Sequence, residues 1–477
     1  MDTIDIKLSD GVTLAAPATL QSITTYVLLE QETWFEKEMG FLRRWLQPGM
    51  TVIDIGANLG VYSLPMSKLV GQAGRVFAYE PGSEARSCLQ RSRELNGANN
   101  LELLPFALSD NKREGRLVFG GSSELNALGT AGPGETVGIT SLDNEEVARG
   151  WPSPDFVKID AEGEEERILS GGRDFFARHS PLVMFEVKAG DKINERLRAL
   201  FPSIGYRLFR QLAGAPILVP DFPQQALDTY ELNLFAAKPD RVQALSDLGV
   251  LADAFPAWRP SAEDLDYGLS FWREQIFAPS ITPTAAADAG YRTALAAYAT
   301  WRRGDKPAPV RCAALALALR GLRTACRHRP TPERFSTLAR VAWESGMRSE
   351  SVGVLRRFIE TLHARPAEIS EPFWPAAARF DRIKPEGQVA NWAAGAVADQ
   401  YETSFRFSSA FSGSSPHLAW LCEQTFSSSE LHRRHILTAA REGAWPAVPG
   451  RLCEVAPDHL NAALWRMGKV PGTVGSA

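Results

Sequence analysis

Thr51-Val-Ile-Asp-Ile-Gly-Ala-Asn-Leu-Gly-Val-Tyr62 is the stretch on which the fold assignment turns. An apolar run of strand character enters a turn punctuated by Gly56 and Gly60, and helical spacing follows. Gly56 can take a positive φ and let a ligand approach the backbone, while Gly60 lets the next helix pack close to a sheet. A strand, glycine turn and helix in this order open nucleotide-binding α/β domains.

Two ligand classes use such a turn, and charge separates them. The dinucleotide fingerprint is G-x-G-x-x-G, whereas the glycines here follow G-x-x-x-G and Asp54 stands where a carboxylate would repel a pyrophosphate. That carboxylate suits the amino end of a methionine moiety, which favours S-adenosylmethionine. The next strand, Arg75-Val-Phe-Ala-Tyr-Glu80-Pro81, ends in an acid placed to accept from both ribose hydroxyls. Glu80 alone fits NAD equally well, so an NAD-dependent oxidoreductase is kept as a lesser alternative.

Working outward, short β-rich runs alternate with helical segments from about residue 48 to 237, the order of a parallel sheet with crossover helices. Strands are expected at 51–55, 75–79, 101–106, 156–159, 182–187, 206–210 and 231–236. Near Lys238-Pro239-Asp240 the pattern changes, and from about 285 the chain is rich in Ala, Leu and Arg at helical spacing. The expected division is 1–240 as an α/β domain, 241–284 as a partly ordered connection and 285–477 as an α-helical accessory domain. A fragment ending near 245 would then keep every cofactor element. Trp301-Arg-Arg-Gly304 and Trp343-Glu-Ser-Gly346 recur in similar surroundings, and the segment from Arg334 to Glu360 resembles a tetratricopeptide unit with Gly346 at its turn. A non-repetitive helical bundle explains the same pattern.

Hydrophobic residues at 44% and charged residues at 23% describe a globular chain, and a net charge of -4 gives no electrostatic footprint for nucleic acid. No apolar run approaches the length of about 20 residues that spans a bilayer, and the acidic, alternating N-terminus is unlike a signal peptide. The five cysteines lack metal-binding spacing. The expectation is a cytoplasmic protein without membrane insertion, metal ligands or nucleic-acid partner, acting on small molecules, with a protein partner conceivable for the helical part.

Phe156-Val-Lys-Ile-Asp-Ala-Glu-Gly-Glu-Glu-Glu-Arg-Ile-Leu-Ser-Gly-Gly172 resembles the hallmark K-I-D-x-E-G segment of the FkbM family of methyltransferases. The resemblance extends through Trp34-Phe-Glu36, the glycine loop, Tyr79-Glu80-Pro81, Ala107-Leu-Ser-Asp110, Thr140-Ser-Leu-Asp143, Phe185-Glu186 and Asn233-Leu-Phe-Ala236, covering about residues 30 to 240. It implies a class I, Rossmann-like methyltransferase fold with a seven-stranded, mostly parallel sheet. It also implies methyl transfer to oxygen, commonly on sugars, polyketides or other small metabolites. The cofactor-binding set is then Glu36, Asp54, Gly56, Ala57, Asn58, Gly60, Glu80 and Ala107.

A hydroxyl acceptor must lose its proton, so a general base is expected near the methyl group. The strand ending at Ile159 places Asp160 and Glu162 at the carboxyl edge of the sheet, where ligands of open α/β folds lie. Lys158 shares a strand face with Asp160 and can hold it ionised. Lys158, Asp160 and Glu162 are therefore the catalytic candidates, with Asp160 favoured as base. Asp160 as a helix cap and Glu162 as a first-turn acid are the structural alternatives. His179 is a lesser candidate base, Glu186 a candidate pocket residue, and Gly120 to Gly129 a candidate lid. Tyr401 to Ser409 has the aromatic and polar mixture of a carbohydrate or protein contact. A scaffold with a vestigial methyltransferase fold is the competing function, and loss of Asp54, Gly56, Gly60 or Glu80 would be its mark; all four are present.

Overall fold

The computed structural model describes residues 2–151, 153–190, 192–283, 287–364, 369–413, 415–454 and 459–473. Its centre is an eight-stranded sheet of Thr51–Ile55 (β1), Arg75–Tyr79 (β2), Leu101–Leu104 (β3), Phe156–Ile159 (β4), Leu182–Glu186 (β5), Arg207–Gln211 (β6), Leu218–Pro220 (β7) and Asn233–Ala237 (β8). The order is β7-β6-β8-β5-β4-β1-β2-β3. Strands β1 to β5 are parallel, β8 runs antiparallel to β5, and β6 antiparallel to β8. All five residues of β1 are buried, as expected of a central parallel strand covered on both faces.

The expected seven strands become eight because β7 returns as an antiparallel partner of β6, pairing Gln211 with Leu218 and Phe209 with Pro220. Leu218 and Val219 are buried there although the run is too short and too close to Pro220 to read as a strand. A separate four-stranded sheet, 106–108, 134–140, 113–118 and 127–129 in spatial order, is inserted between β3 and β4. Pro105 divides the run expected at 101–106, so Phe106 and Ala107 pair with Gly138 and Ile139 rather than continuing β3. At the N-terminus Thr3–Lys7 and Thr13–Pro17 form an antiparallel hairpin.

After Ala237 every named element among the described residues is helical. The stretch expected as a partly ordered connection contains the helices Pro239–Asp247 and Ala262–Arg273, the latter started by a Ser261/Asp264 capping box. Ala289–Arg302 and Ala308–His328 pack as one pair, Pro332–Glu344 and Arg348–Ala364 as a second, with Gly346 at φ 76° in the second turn. The pairing stops there, since 369–388 carries only a 3₁₀ turn at Ala378–Arg382.

The expected boundary at 240 does not divide the hydrophobic core. Ile436, Leu437, Leu452, Trp465 and Val470 are buried in the same cluster as Val52, Phe156 and Phe235 of the central sheet. Buried ion pairs reinforce the return. Glu30 and Glu32, at the end of the helix Ile23–Gln31 and just beyond it, face Arg434 at 3.1 Å and Arg433 at 3.4 Å on the helix Ser429–Arg441, and Glu32 also accepts from Leu460 and Asn461 amides at 2.9 Å. Sequence periodicity could not reveal this, because it records which residues are apolar and not which core they enter.

Each buried Leu or Ile side chain contributes about 1.5–3 kcal/mol relative to exposure. A fragment of residues 1–245 would expose the surface that Ile436, Leu437 and Leu452 cover and strip Glu30 and Glu32 of their arginine partners. We predict that this fragment self-associates or melts without a cooperative transition, while the full chain melts cooperatively. A monomeric fragment with a sharp melt by circular dichroism would show that the C-terminal return is dispensable.

Candidate active site

A cavity of about 600 Å³ opens at the carboxyl ends of β1, β2, β4 and β5. One end is the glycine turn. Gly56 sits at φ 79°, and a Cβ on it would lie 1.7 Å from the carbonyl oxygen of Asp160, so the residue must be glycine for two reasons. Asn58 follows at φ 45° and donates its amide to Glu80 Oε2 at 2.8 Å, while Gly82 donates to Glu80 Oε1 at 2.7 Å. Burial pushes the Glu80 carboxyl up to about 7, against the pull of those two amides. Gly60, at φ 90°, has the packing role expected of it: a Cβ there would lie 2.4 Å from Leu89 Cδ1.

Lys158 occupies the middle. Its ammonium lies 2.8 Å from Asp160 Oδ2, 3.8 Å from Asp54 Oδ1 and 5.1 Å from the Tyr62 ring centroid. Burial pulls its pKa down, but the Asp160 and Asp54 carboxylates outweigh that and hold it above the usual lysine value. Asp54 is fully buried and accepts from Ser63 Oγ at 2.5 Å, and its Oδ1 has no hydrogen-bond donor. Glu36 accepts from Trp34 Nε1 at 2.9 Å, Tyr62 OH at 2.7 Å and Asn233 Nδ2 at 2.6 Å, and burial followed by the Asp160 charge raises its pKa.

In the same wall Asp160, Glu162 and Glu186 bring carboxylate oxygens within 4.8 Å of one another, a grouping that could take a cation and that the expectation of no metal ligands did not foresee. Glu186 belongs to the neighbouring strand, so only the parallel pairing of β4 with β5 brings it in. Burial, then repulsion from Asp160, pushes Glu162 up to about 7 and Glu186 up to about 10.

Of the residues expected at the site, Glu36, Gly56, Ala57, Asn58, Glu80, Ala107, Lys158, Asp160 and Glu162 line the cavity. Asp54 and Gly60 do not: Asp54 stands behind the wall as a partner of Lys158, and Gly60 packs a helix. Asp54, expected to hold a methionine amine directly or through water, has its carboxylate fully buried and outside the cavity lining. Asp160 is not a helix cap, since the helix begins at Glu165, and Glu165 Oε1 itself accepts the turn amides of Ala161 at 3.0 Å and Gly163 at 3.1 Å. Glu162, at φ 47°, precedes that helix. His179 lies outside the cavity wall, bonded to Glu146 at 2.6 Å.

The segment expected as a lid forms a short 3₁₀ turn, Ser123–Leu125, and lines the cavity. Glu124 accepts the Thr24 amide at 2.8 Å at the start of the helix Ile23–Gln31, and Ser123 bonds the Asn58 side chain at 3.1 Å, tying the segment to the glycine turn. Sequence reasoning missed Tyr62, Asn233 and Tyr230. It flagged 401–409 only as a contact surface, yet Arg406 and Phe407, with Phe411 beyond it, line this cavity.

Comparison with known proteins bears on the turn and its surroundings. Residues 54–208 match the Methyltransferase FkbM domain. That match begins at Asp54, ends within β6, and leaves the helical half outside it. A methyltransferase FkbM from Methylobacillus flagellatus is 17% identical with a TM-score of 0.29, covering 45% of this chain and 58% of that one. A SAM-dependent methyltransferase from Aquifex aeolicus is 16% identical over 44% of this chain and 90% of its own, with a TM-score of 0.26. A SAM-dependent O-methyltransferase from Thermotoga maritima is 14% identical over 49% and 77%, with a TM-score of 0.27. These likenesses are too distant to assign chemistry. The chain spans less than two thirds of the Methylobacillus protein, and no curated protein matches it in sequence. S-adenosylmethionine is the cofactor that goes with the matched domain. Among the described residues no helix is long and apolar enough to cross a membrane.

The cavity fits that cofactor on its own evidence. Its volume lies within the ordinary range for small-molecule sites, about 300–1,000 Å³, and carboxylates outnumber cations in its wall, which suits a sulfonium and an ammonium. Glu80→Gln would turn one amide donor toward the Asn58 or Gly82 amide, and leaving such a group unsatisfied costs about 1–3 kcal/mol. We expect calorimetric affinity for S-adenosylhomocysteine to fall in wild type as pH drops through about 7, where Glu80 gains its proton. Glu80→Gln should bind more weakly and lose that pH dependence; an unchanged profile would remove Glu80 from the cofactor site.

Proposed function

We propose that this chain is an S-adenosylmethionine-dependent O-methyltransferase acting on a hydroxyl of a saccharide or other small metabolite. The observation that carries the reading is one continuous cavity lined by the glycine turn and Glu80 together with Asp160, Glu162 and Glu186. When bound, S-adenosylmethionine supplies an electrophilic methyl group on a sulfonium. The chain's own residues do the rest. Gly56, Ala57 and Asn58 offer backbone to the cofactor, Glu80 accepts from its ribose, and Ala107 and Glu36 flank it.

The three carboxylates divide the acceptor's needs. Asp160, pinned by Lys158 at 2.8 Å, orients the acceptor hydroxyl. Glu186, pushed up to about 10, keeps its proton near neutrality and donates a hydrogen bond. Glu162, with a pKa of about 7, is matched to accept the hydroxyl proton, because a general base works best when its pKa lies near the operating pH. This moves the favoured base from Asp160, the sequence expectation, to Glu162. Holding the reactants in line contributes as well, up to about 7–11 kcal/mol in favourable cases.

Turnover should rise with pH through about 7 as Glu162 loses its proton. Glu162→Gln should abolish that limb and lower the rate by about 10²–10⁴-fold, with S-adenosylhomocysteine affinity little changed. Asp160→Asn should raise the acceptor KM and lower kcat while keeping the limb. A limb that survives in Glu162→Gln and disappears in Asp160→Asn would return the base to Asp160. Wild-type protein that binds no S-adenosylhomocysteine would favour the vestigial scaffold instead.

A further inference from the structure

The C-terminal half contributes residues to the cavity wall. Phe407 and Phe411 stand in the cavity wall, joined to the N-terminal half through Phe35, whose ring centroid is 5.0 Å from Phe407 and 6.1 Å from Phe411. Tyr230 extends the same surface, 6.1 Å from Phe407.

This shelf is built rather than incidental. The Arg348 guanidinium lies 4.2 Å from the Phe407 centroid and 4.7 Å from that of Tyr230, a stacking geometry that fixes both rings. Arg348 Nε donates to Ser404 O at 2.7 Å, Tyr230 OH donates to Phe405 O at 3.1 Å, and Gln31 Nε2 donates to Phe407 O at 2.6 Å. Three elements distant in sequence thus hold one backbone segment against the cavity. Phe411, by contrast, is 42% exposed, which makes it the open end of the shelf.

We infer that Phe407 and Phe411 are specificity-determining residues for the methyl acceptor, and that the helical half forms the acceptor wall of the active site. An acceptor suited to this shelf is a ring with one apolar face, which lies against Phe407 and Phe35 while its polar edge meets Asp160 and Glu162. The inference rests on the reading of the glycine turn and Glu80 as the cofactor site. It also gives a reason for the C-terminal chain to fold back into the first core: a wall that moved freely would not select an acceptor.

The test uses the full chain and two titrants, S-adenosylhomocysteine and a sulfonium analogue of the cofactor carrying a benzyl group in place of the methyl, so that a ring is delivered toward the shelf. Wild type should bind both. Phe407→Ala and the more exposed Phe411→Ala should keep wild-type affinity for S-adenosylhomocysteine and lose about two- to tenfold for the benzyl analogue, the range of an aromatic pair. Phe407→Tyr should restore it. Equal loss for both titrants in Phe407→Ala, with no effect in Phe411→Ala, would reduce the shelf to a structural role. An unchanged benzyl affinity in both alanine variants, or a wild type that binds S-adenosylhomocysteine but excludes the analogue, would overturn the acceptor wall. Failure of wild type to bind S-adenosylhomocysteine would instead overturn the cofactor reading, and this inference with it.

Discussion

A lysine ammonium in the middle of a parallel sheet has no water to solvate it, and the effective penalty for burying such a charge is several kcal/mol unless partners are supplied. Lys158 on β4 is 3% exposed, and its partners are Asp160 on one side, Asp54 on the other and the face of Tyr62. Those groups come from different parts of the site. Asp54 lies on the strand that feeds the glycine turn, Tyr62 on the segment after it, and Asp160 at the cavity mouth. Satisfying one buried cation therefore fixes the strand of the cofactor turn relative to the acceptor carboxylates. Register does the same from the backbone, where Lys158 pairs with Asp54 across β4 and β1.

The turn itself is constrained from the opposite side. Because the Asp160 carbonyl fills the space a Cβ on Gly56 would need, the glycine turn and the K-I-D-x-E-G segment are packed backbone to side-chain position. Glu165 then closes the loop after Asp160 by accepting two turn amides. That leaves the Asp160 and Glu162 carboxylates free of backbone duties and able to face the cavity. The electrostatic result is that burial and the Asp160 charge push Glu162 and Glu186 up beside a carboxylate held by a lysine, all within one small volume.

The helical half is bound to this arrangement by the same kind of bargain. Glu30 and Glu32 are buried charges whose counter-charges come from Arg434 and Arg433, and Ser409 donates to Glu30 through its amide at 3.1 Å. Charge pairing of this sort specifies which surfaces meet, although its net energy is small when desolvation is counted. Apolar side chains such as Trp465 and Leu437 supply the driving force.

The strand, glycine turn and second acid could be read directly because their chemistry is local: strand period, positive φ and charge all lie within a few residues of one another. Lys158, Asp160 and Glu162 were legible for the same reason, being two apart on one strand and its exit. What remained hidden depends on pairs far apart in the chain. Asp54 looked like a ligand contact, but the position of Lys158 across the register turned it into a buried partner. Asp160 was legible as a candidate base, but that burial and the neighbouring Asp160 charge push Glu162 up to about 7 depends on packing the spacing does not show. The entry of C-terminal helices into the first core was hidden, because helical periodicity specifies an apolar face without naming the surface that covers it. The sequence thus determined the local fold of the turn and the residue types of the site. Only tertiary packing decided which carboxylate faces which, and that Phe407 of one half closes the cavity of the other, since both follow from distances between elements that local spacing does not encode.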